Sequence, residues 1–199
     1  MKDSTILGVY IMIVVLEGID NCGKTTTSEQ LSQYFKRTGR SVHISKELTT
    51  DVGSLIKNAS STSRFSPIMK TFLFAADRQL RLEEIEKSNK YDVYIFDRYL
   101  YSAIAYREAE GIDRHWVQEI NRFIPPFDIG FYIDISPEES IRRNTDAKFN
   151  IHYSLEYLSH VRESYLREVK DGNLIMIDGM CNSERVYQQI IDTLSKRGY

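Results

Sequence analysis

Apolar residues gather in five short runs: YIMIVVL (10–16), SVHIS (41–45), YDVYIF (91–96), IGFYIDI (129–135) and LIMI (174–177). None alternates cleanly with polar residues, so each predicts a strand buried on both faces, as in a parallel sheet. Helical patterns lie between them. Leu31 and Phe35 share a face in 25–38, and Gly39 supplies a stop. The stretch 66–87 opens with Ser66 as N-cap and Pro67 at the first helical position, and Ser136 and Pro137 repeat that opening in 136–144. Two later amphipathic helices are predicted over 154–169 and 183–197. Strand and helix alternate about five times without repeats or a linker. This predicts one α/β domain over 1–199, its parallel sheet covered by helices on both faces, with 1–11 as an extension ahead of Met12. Ligands bind outside the carboxyl ends of such strands. Function is therefore expected just after Leu16, Ser45, Phe96, Ile135 and Ile177.

Composition narrows the classes. A chain of 199 residues that is 42% hydrophobic can bury a sizeable core. The formal charge of -2 lacks the basic excess of a nucleic-acid-binding domain. The apolar run from Ile6 to Leu16 is about half the ~20 residues of a spanning helix, so no membrane partner is expected. Cys22 and Cys181 are the only cysteines and have no metal-ligand spacing. Cys22 sits inside a glycine loop, which argues against a disulfide there and for a reducing, cytoplasmic setting. His43, His115, His152 and His160 also lack ligand spacing.

The glycine loop changes the picture most. Gly18, Gly23, Lys24 and Thr25 complete G-x-x-x-x-G-K-[ST] between a predicted strand and a predicted helix. Such a loop turns successive N–H groups into one concavity backed by a helix N-terminus, a cradle for phosphates. Lys24 is expected to reach the β- and γ-phosphates of ATP, and the Thr25 hydroxyl to ligate Mg²⁺. A second signal is Asp97-Arg98 at the end of a strand. Asp97 can meet the Mg²⁺ shell directly or through water, and Arg98 offers a fork for a second phosphate. An Asp-Arg pair there also fits a structural ion pair. A third is Phe74 and Arg78, four apart on a helix, able to address one planar base. Alone, that pair is more often core packing plus a solvated arginine.

Together these residues resemble the thymidylate kinase family of nucleoside monophosphate kinases. The family shows E-G-x-D-x-x-G-K-[ST]-T, F-A-x-D-R and D-R-Y-x-x-S-x-x-A-Y-Q; this chain has EGIDNCGKTT, FAADR and DRYLYSAIAYR in that order, followed by PPFDIGFYIDISPEESIRR. The resemblance runs from about Ile13 to the last helix. It implies a five-stranded P-loop kinase sheet, a homodimer, and transfer of the γ-phosphoryl group of ATP to dTMP with Mg²⁺. By resemblance, Gly18, Ile19, Asp20, Asn21, Cys22, Gly23, Lys24, Thr25 and Thr26 hold ATP phosphates. Asp20 approaches the acceptor's 3′-hydroxyl, Arg98 grips its phosphate, Phe74 stacks on the base and Arg78 bonds a base carbonyl. Ser102 helps position the base, and Tyr106 lies against C2′ and disfavours ribonucleotides. A lid over about 142–153 supplies the catalytic charge, because no basic residue lies inside the loop. Arg143 is the first candidate, with Arg142 and Lys148 behind it.

Three departures fall on the acceptor side: Leu48 in KELTTDVG, Ala103 after Ser102, and Arg107 in place of the family's glutamine. Loss of a polar contact at Ala103 predicts that dUMP is accepted more readily than is usual. The alternatives are a kinase for another nucleoside monophosphate, a deoxynucleoside kinase, or a nucleotide-binding switch without an acceptor. Arg98 and the Phe74/Arg78 face argue against the switch, which needs no second phosphate site.

Overall fold

A computed structural model describes residues 5–6, 9–60, 65–88, 90–144 and 153–199. A two-stranded antiparallel ladder, β1 (Thr5–Ile6) with β2 (Val9–Tyr10), precedes the main sheet. That sheet holds β3 (Met12–Glu17), β4 (Val42–Lys46), β5 (Val93–Asp97), β6 (Ile129–Asp134) and β7 (Ile175–Asp178). All its pairings are parallel, in the order β4-β5-β3-β6-β7. The central strand explains its own lack of alternation. Met12, Val14 and Leu16 pack into one core with Leu31, Phe35 and Phe131, while Ile13 and Val15 pack into a second with Tyr94, Phe96 and Tyr99. Both faces are covered, so both parities are apolar. Ile11, expected to belong to an extension, is 4% exposed and packs in the second core.

The eight helices of the described residues are α1 (Lys24–Arg37), α2 (Asp51–Ser60), α3 (Pro67–Ser88), α4 (Leu100–Glu108), α5 (Arg114–Ile120), α6 (Pro137–Arg142), α7 (Leu155–Lys170) and α8 (Ser183–Lys196). Ser136 caps α6 by accepting from the Glu139 N–H at 3.2 Å, and the Ser66 hydroxyl accepts from the Met69 N–H at 3.2 Å at the head of α3. The periodicity did not predict α2, α4 or α5. Gly53 disguises α2: a Cβ there would sit 2.4 Å from Leu48 Cα, so packing demands a poor helix former. No described helix is long and apolar enough to cross a membrane.

Register gathers the working ends. Leu16 and Lys46 each pair with Asp97, and Glu17 pairs with Tyr132, so β3, β4, β5 and β6 finish along one rim. The adjacent strands β3 and β6 lead to β4 and β7 on opposite sides of the sheet, which opens a crevice between their ends.

Candidate active site

The loop between β3 and α1 needs its glycines. Gly18 has φ 146°, and a Cβ there would lie 2.7 Å from the Ile133 carbonyl oxygen. Ile19 and Cys22, expected to hold phosphates, bury their side chains in the core. Two bonds tether the loop to α6: Asn21 Nδ2 donates to the Ser140 carbonyl at 3.0 Å, and Ser140 Oγ donates to the Asp20 carbonyl at 2.7 Å. Lys24 Nζ donates to the carbonyls of Gly18 at 3.0 Å and Ile19 at 2.9 Å. The loop borders a cavity of about 620 Å³, whose walls include Lys24, Thr25, Thr26, Asp97 and Arg143.

Thr25 Oγ1 donates to Asp97 Oδ2 at 2.7 Å, so the two expected metal ligands already touch. Among the described residues no group of three or more His, Cys, Asp or Glu could hold a metal ion. Mg²⁺ suits this poverty of ligands. It keeps several waters and binds through one or two carboxylates plus substrate phosphates, and a hydroxyl beside a carboxylate is a hard-oxygen pair of that kind.

A second cavity, of about 560 Å³, opens beside the first and shares Asp20, Asn21, Glu47, Leu48 and Arg98 with it. Its walls include Phe74, Ser102, Ala103, Tyr106, Arg107 and Tyr153. Where the cavities meet, Asp20, Arg98 and Tyr106 form one cluster. Arg98 Nη2 donates to Asp20 Oδ1 in a very short contact and to Tyr106 Oη at 3.1 Å; Tyr106 in turn donates to Asp20 Oδ2 at 2.8 Å. Arg98 has φ 74°, a left-handed backbone that turns the chain straight from β5 toward α4. Burial alone would raise the Asp20 pKa, but Arg98, Lys24 and the Tyr106 hydroxyl together hold it below the ordinary carboxylate value. Burial likewise opposes the Arg98 charge, and Tyr106 and Asp20 outweigh it, so the guanidinium is firmly cationic.

Other expected residues lie elsewhere. Arg78 is 1% exposed and has no surface on the second cavity; its Nη1 donates to Asn121 Oδ1 and its Nη2 to Glu47 Oε1, both at 2.7 Å. It therefore does not share the cavity with Phe74. Ser102 reaches the cavity but spends its hydroxyl on Glu17 Oε2 and on Tyr165 Oη, the latter at 2.8 Å. Arg143 stands on the loop cavity, its Nη2 donating to the Gly179 carbonyl at 2.9 Å and its Nε to Glu139 at 2.5 Å. Arg142 is 72% exposed in its side chain and faces neither cavity. Lys148 and the rest of 145–152 lie outside the described residues. The end of β7 contributes only the Gly179 carbonyl.

Three acidic residues escaped the sequence reading. Glu17 accepts from the N–H groups of Tyr99 at 3.0 Å and Ser102 at 3.2 Å, which fixes the turn carrying Arg98. Burial raises its pKa, against the pull of Ser102 and Arg98. Asp77 accepts from the Leu48 N–H at 3.0 Å and the Thr50 hydroxyl at 2.7 Å, which holds the turn after β4. Glu47 is the partner of Arg78. All three lie in stretches the motifs cover or adjoin; the signal missed was an acidic residue at a buried strand end or helix interior. Residues 89–92 spell N-K-x-D, the base-reading pattern of GTPase switches, yet they precede β5. Asp92 is bound to the Ser41 N–H at 2.7 Å, at the opposite end of the strand from the glycine loop.

Comparison with known proteins identifies the family. The thymidylate kinase family matches residues 16–190. A probable thymidylate kinase of Pyrococcus abyssi is 36% identical over 191 residues, covering 89% of this chain and 93% of its own. One from Sulfurisphaera tokodaii is 33% identical over 183 residues, covering 91% and 94%. The probable thymidylate kinase 1 of Saccharolobus solfataricus is 31% identical over 185 residues, covering 92% and 97%. With a family match over residues 16–190 and relatives 31–36% identical over most of both chains, the chain belongs to the thymidylate kinase family.

Proposed function

We propose that this protein transfers the γ-phosphoryl group of ATP to dTMP, giving dTDP and ADP. The observation that carries the reading is the Asp20–Arg98–Tyr106 cluster at the junction of two cavities, one bordered by the glycine loop and one by aromatic rings. A donor phosphate cradled by 18–26 then faces an acceptor phosphate gripped by Arg98. The acceptor sugar lies beside Asp20 and Tyr106, and its base lies toward Phe74.

In this reading, transfer needs positioning and charge rather than a covalent intermediate. An acceptor phosphate oxygen attacks the γ-phosphorus while the bond to the β-γ bridging oxygen breaks and the leaving ADP takes the charge. Lys24 leaves its loop carbonyls for the transferred group, and Arg143 neutralises charge on the equatorial oxygens from the other side. Thr25 and Asp97 would hold Mg²⁺, which would supply Lewis-acid charge to the phosphates. Ser102 acts through Glu17, as a support of the Arg98 turn rather than a base contact. The Tyr106 ring excludes a 2′-hydroxyl while its own hydroxyl orients Asp20. Ile68, Met69 and Phe72 form an exposed apolar row on α3, the face on which we place a homodimer contact. Cytoplasmic residence is part of the same reading.

The test is turnover of ATP·Mg²⁺ with dTMP, with thymidine, and with no acceptor. Stoichiometric ADP and dTDP only with dTMP supports a monophosphate kinase. Turnover with thymidine identifies a nucleoside kinase, and binding of ATP without turnover under any condition identifies a switch.

A further inference from the structure

The glycine loop spends one side chain on a helix. Asn21 has φ 60° and borders both cavities. Its Nδ2 donates to the Ser140 carbonyl at 3.0 Å, and Ser140 Oγ donates in return to the Asp20 carbonyl at 2.7 Å. Two bonds of opposite direction thus join adjacent loop residues to one residue of α6. Ser140 is 2% exposed, and α6 buries only Ser140 and Pro137. Arg143 caps the helix three positions after Ser140, so both stand on one side of it. Arg143 borders the loop cavity, but its side chain bonds to Glu139 and to the Gly179 carbonyl, and neither partner belongs to the loop. Between Gly18 and Gly23 the loop has no basic side chain of its own. The helix that carries a cation to the phosphates is therefore registered against the loop through Ser140.

We propose that Asn21 is a positioning residue, whose amide holds α6 against the glycine loop and so sets the Arg143 guanidinium at the transferred group. The inference deepens the proposed function and rests on it. Phosphoryl transfer depends on charge placed before the reaction, and an error of about 1 Å in a positioned group can cost about 10²-fold. A six-residue helix that shifts by part of that distance carries Arg143 with it. The chemistry of asparagine suits the place. Asn tolerates a left-handed backbone better than most residues, and its amide offers a carbonyl a neutral donor. Ionised Asp has the same shape without a donor, and Gly has the backbone freedom without a side chain. The bond from Ser140 to the Asp20 carbonyl does not involve Asn21, so replacement of Asn21 weakens the latch without abolishing it.

A double-mutant cycle tests the proposal: steady-state kinetics with ATP·Mg²⁺ and dTMP on wild type, Asn21→Gly, Arg143→Ala and the double variant. Asn21→Gly removes the latch bond without straining a backbone at φ 60°. Its kcat should fall about fivefold, the size expected for one lost hydrogen bond, with the KM for ATP and for dTMP within about twofold of wild type. In the Arg143→Ala background the same replacement should change kcat by less than about 1.5-fold, because the group it positions is gone. Asn21→Asp should show the same coupling, and it carries the test if Asn21→Gly does not fold. An equal loss in both backgrounds overturns the proposal, since the side chain then acts independently of Arg143. A kcat unchanged in Asn21→Gly overturns it too, as does an effect confined to the KM for ATP, which marks a phosphate contact. Arg143→Ala with wild-type kcat overturns it by removing the group to be positioned, and leaves the kinase reading intact. Wild type inactive on dTMP overturns the proposed function itself.

Discussion

The two cavities meet at Asp20 but are built on different terms. The loop cavity draws half of its polar side chains from one contiguous stretch, 18–26, and fixes that stretch with backbone: Lys24 on two loop carbonyls, the loop on α6. The aromatic cavity draws on α2, α3, α4, α6, α7 and the turns after β4 and β5, and is organised by side-chain pairs, Arg98 with Asp20, Arg107 with Glu110 and, behind the wall, Arg78 with Glu47. A site held by backbone needs a fixed spacing and tolerates few substitutes. A site held by pairs of charges can reassign its partners, and one guanidinium can take over from another. In this chain the departures Leu48, Ala103 and Arg107 all fall on the second kind of site.

The largest effect should come from the first kind. Lys24→Ala should lower kcat by about 10²-fold or more with little change in melting temperature, because it removes a preorganised cation from the transferred group. Near-normal turnover of this variant would dissolve the contrast. Arg143→Ala should lower kcat by about tenfold or more and change the acceptor KM less, since its charge acts mainly in the transition state. An unchanged kcat would direct attention to Arg142 and Lys148.

Across the junction, Tyr106→Phe should lower kcat/KM for dTMP by about fivefold to tenfold, the worth of one hydrogen bond to Asp20. UMP should remain a poor substrate, because the ring is retained. Kinetics with both nucleotides separate the hydroxyl from the ring. Asp77→Ala should act on stability instead, costing about 2 kcal/mol by leaving the Leu48 N–H and the Thr50 hydroxyl without their acceptor and Arg81 without its ion-pair partner. Urea unfolding measures this, and an unchanged midpoint would remove Asp77 from the account of the β4 turn.

The smallest effect is acid-dependent. Arg142 and Arg143 hold the Glu139 pKa down from 4.5 to about 2. A depressed carboxylate stabilises the fold above its ordinary pKa and loses that contribution as pH falls through the lowered one. Melting temperatures of wild type and Glu139→Gln should therefore differ by a constant amount from pH 8 to about 5 and converge toward about pH 2. A difference that grows with acid would contradict the pairing.

What the sequence made legible follows the same division. Strands β3, β5 and β6 were readable because both faces are buried, the edge strands β4 and β7 only as short apolar runs, since Met176 is 53% exposed, and the glycine loop because φ 146° at Gly18 admits almost nothing else. The loop ends, the position of Arg143 on the loop cavity, and the joint placement of Asp20, Arg98 and Tyr106 were within reach of spacing and resemblance. Arg78 was not, because its burial depends on Glu47 and Asn121, which lie 31 and 43 residues away in sequence. Helix α4 was overlooked for a related reason. Its first turn is satisfied by Glu17 from another strand, so its own sequence carries no capping signal.

In the proposed function this pair of cavities brings ATP to a thymine nucleotide. The direct measurement is a competition in which the protein, limiting ATP·Mg²⁺ and equimolar dTMP, dUMP, dCMP, dGMP and dAMP react together and the diphosphates are quantified. dTDP should be the most abundant product and dUDP second, with dCDP and the purine diphosphates at least about tenfold lower. A purine diphosphate or dCDP in excess of dTDP would contradict it.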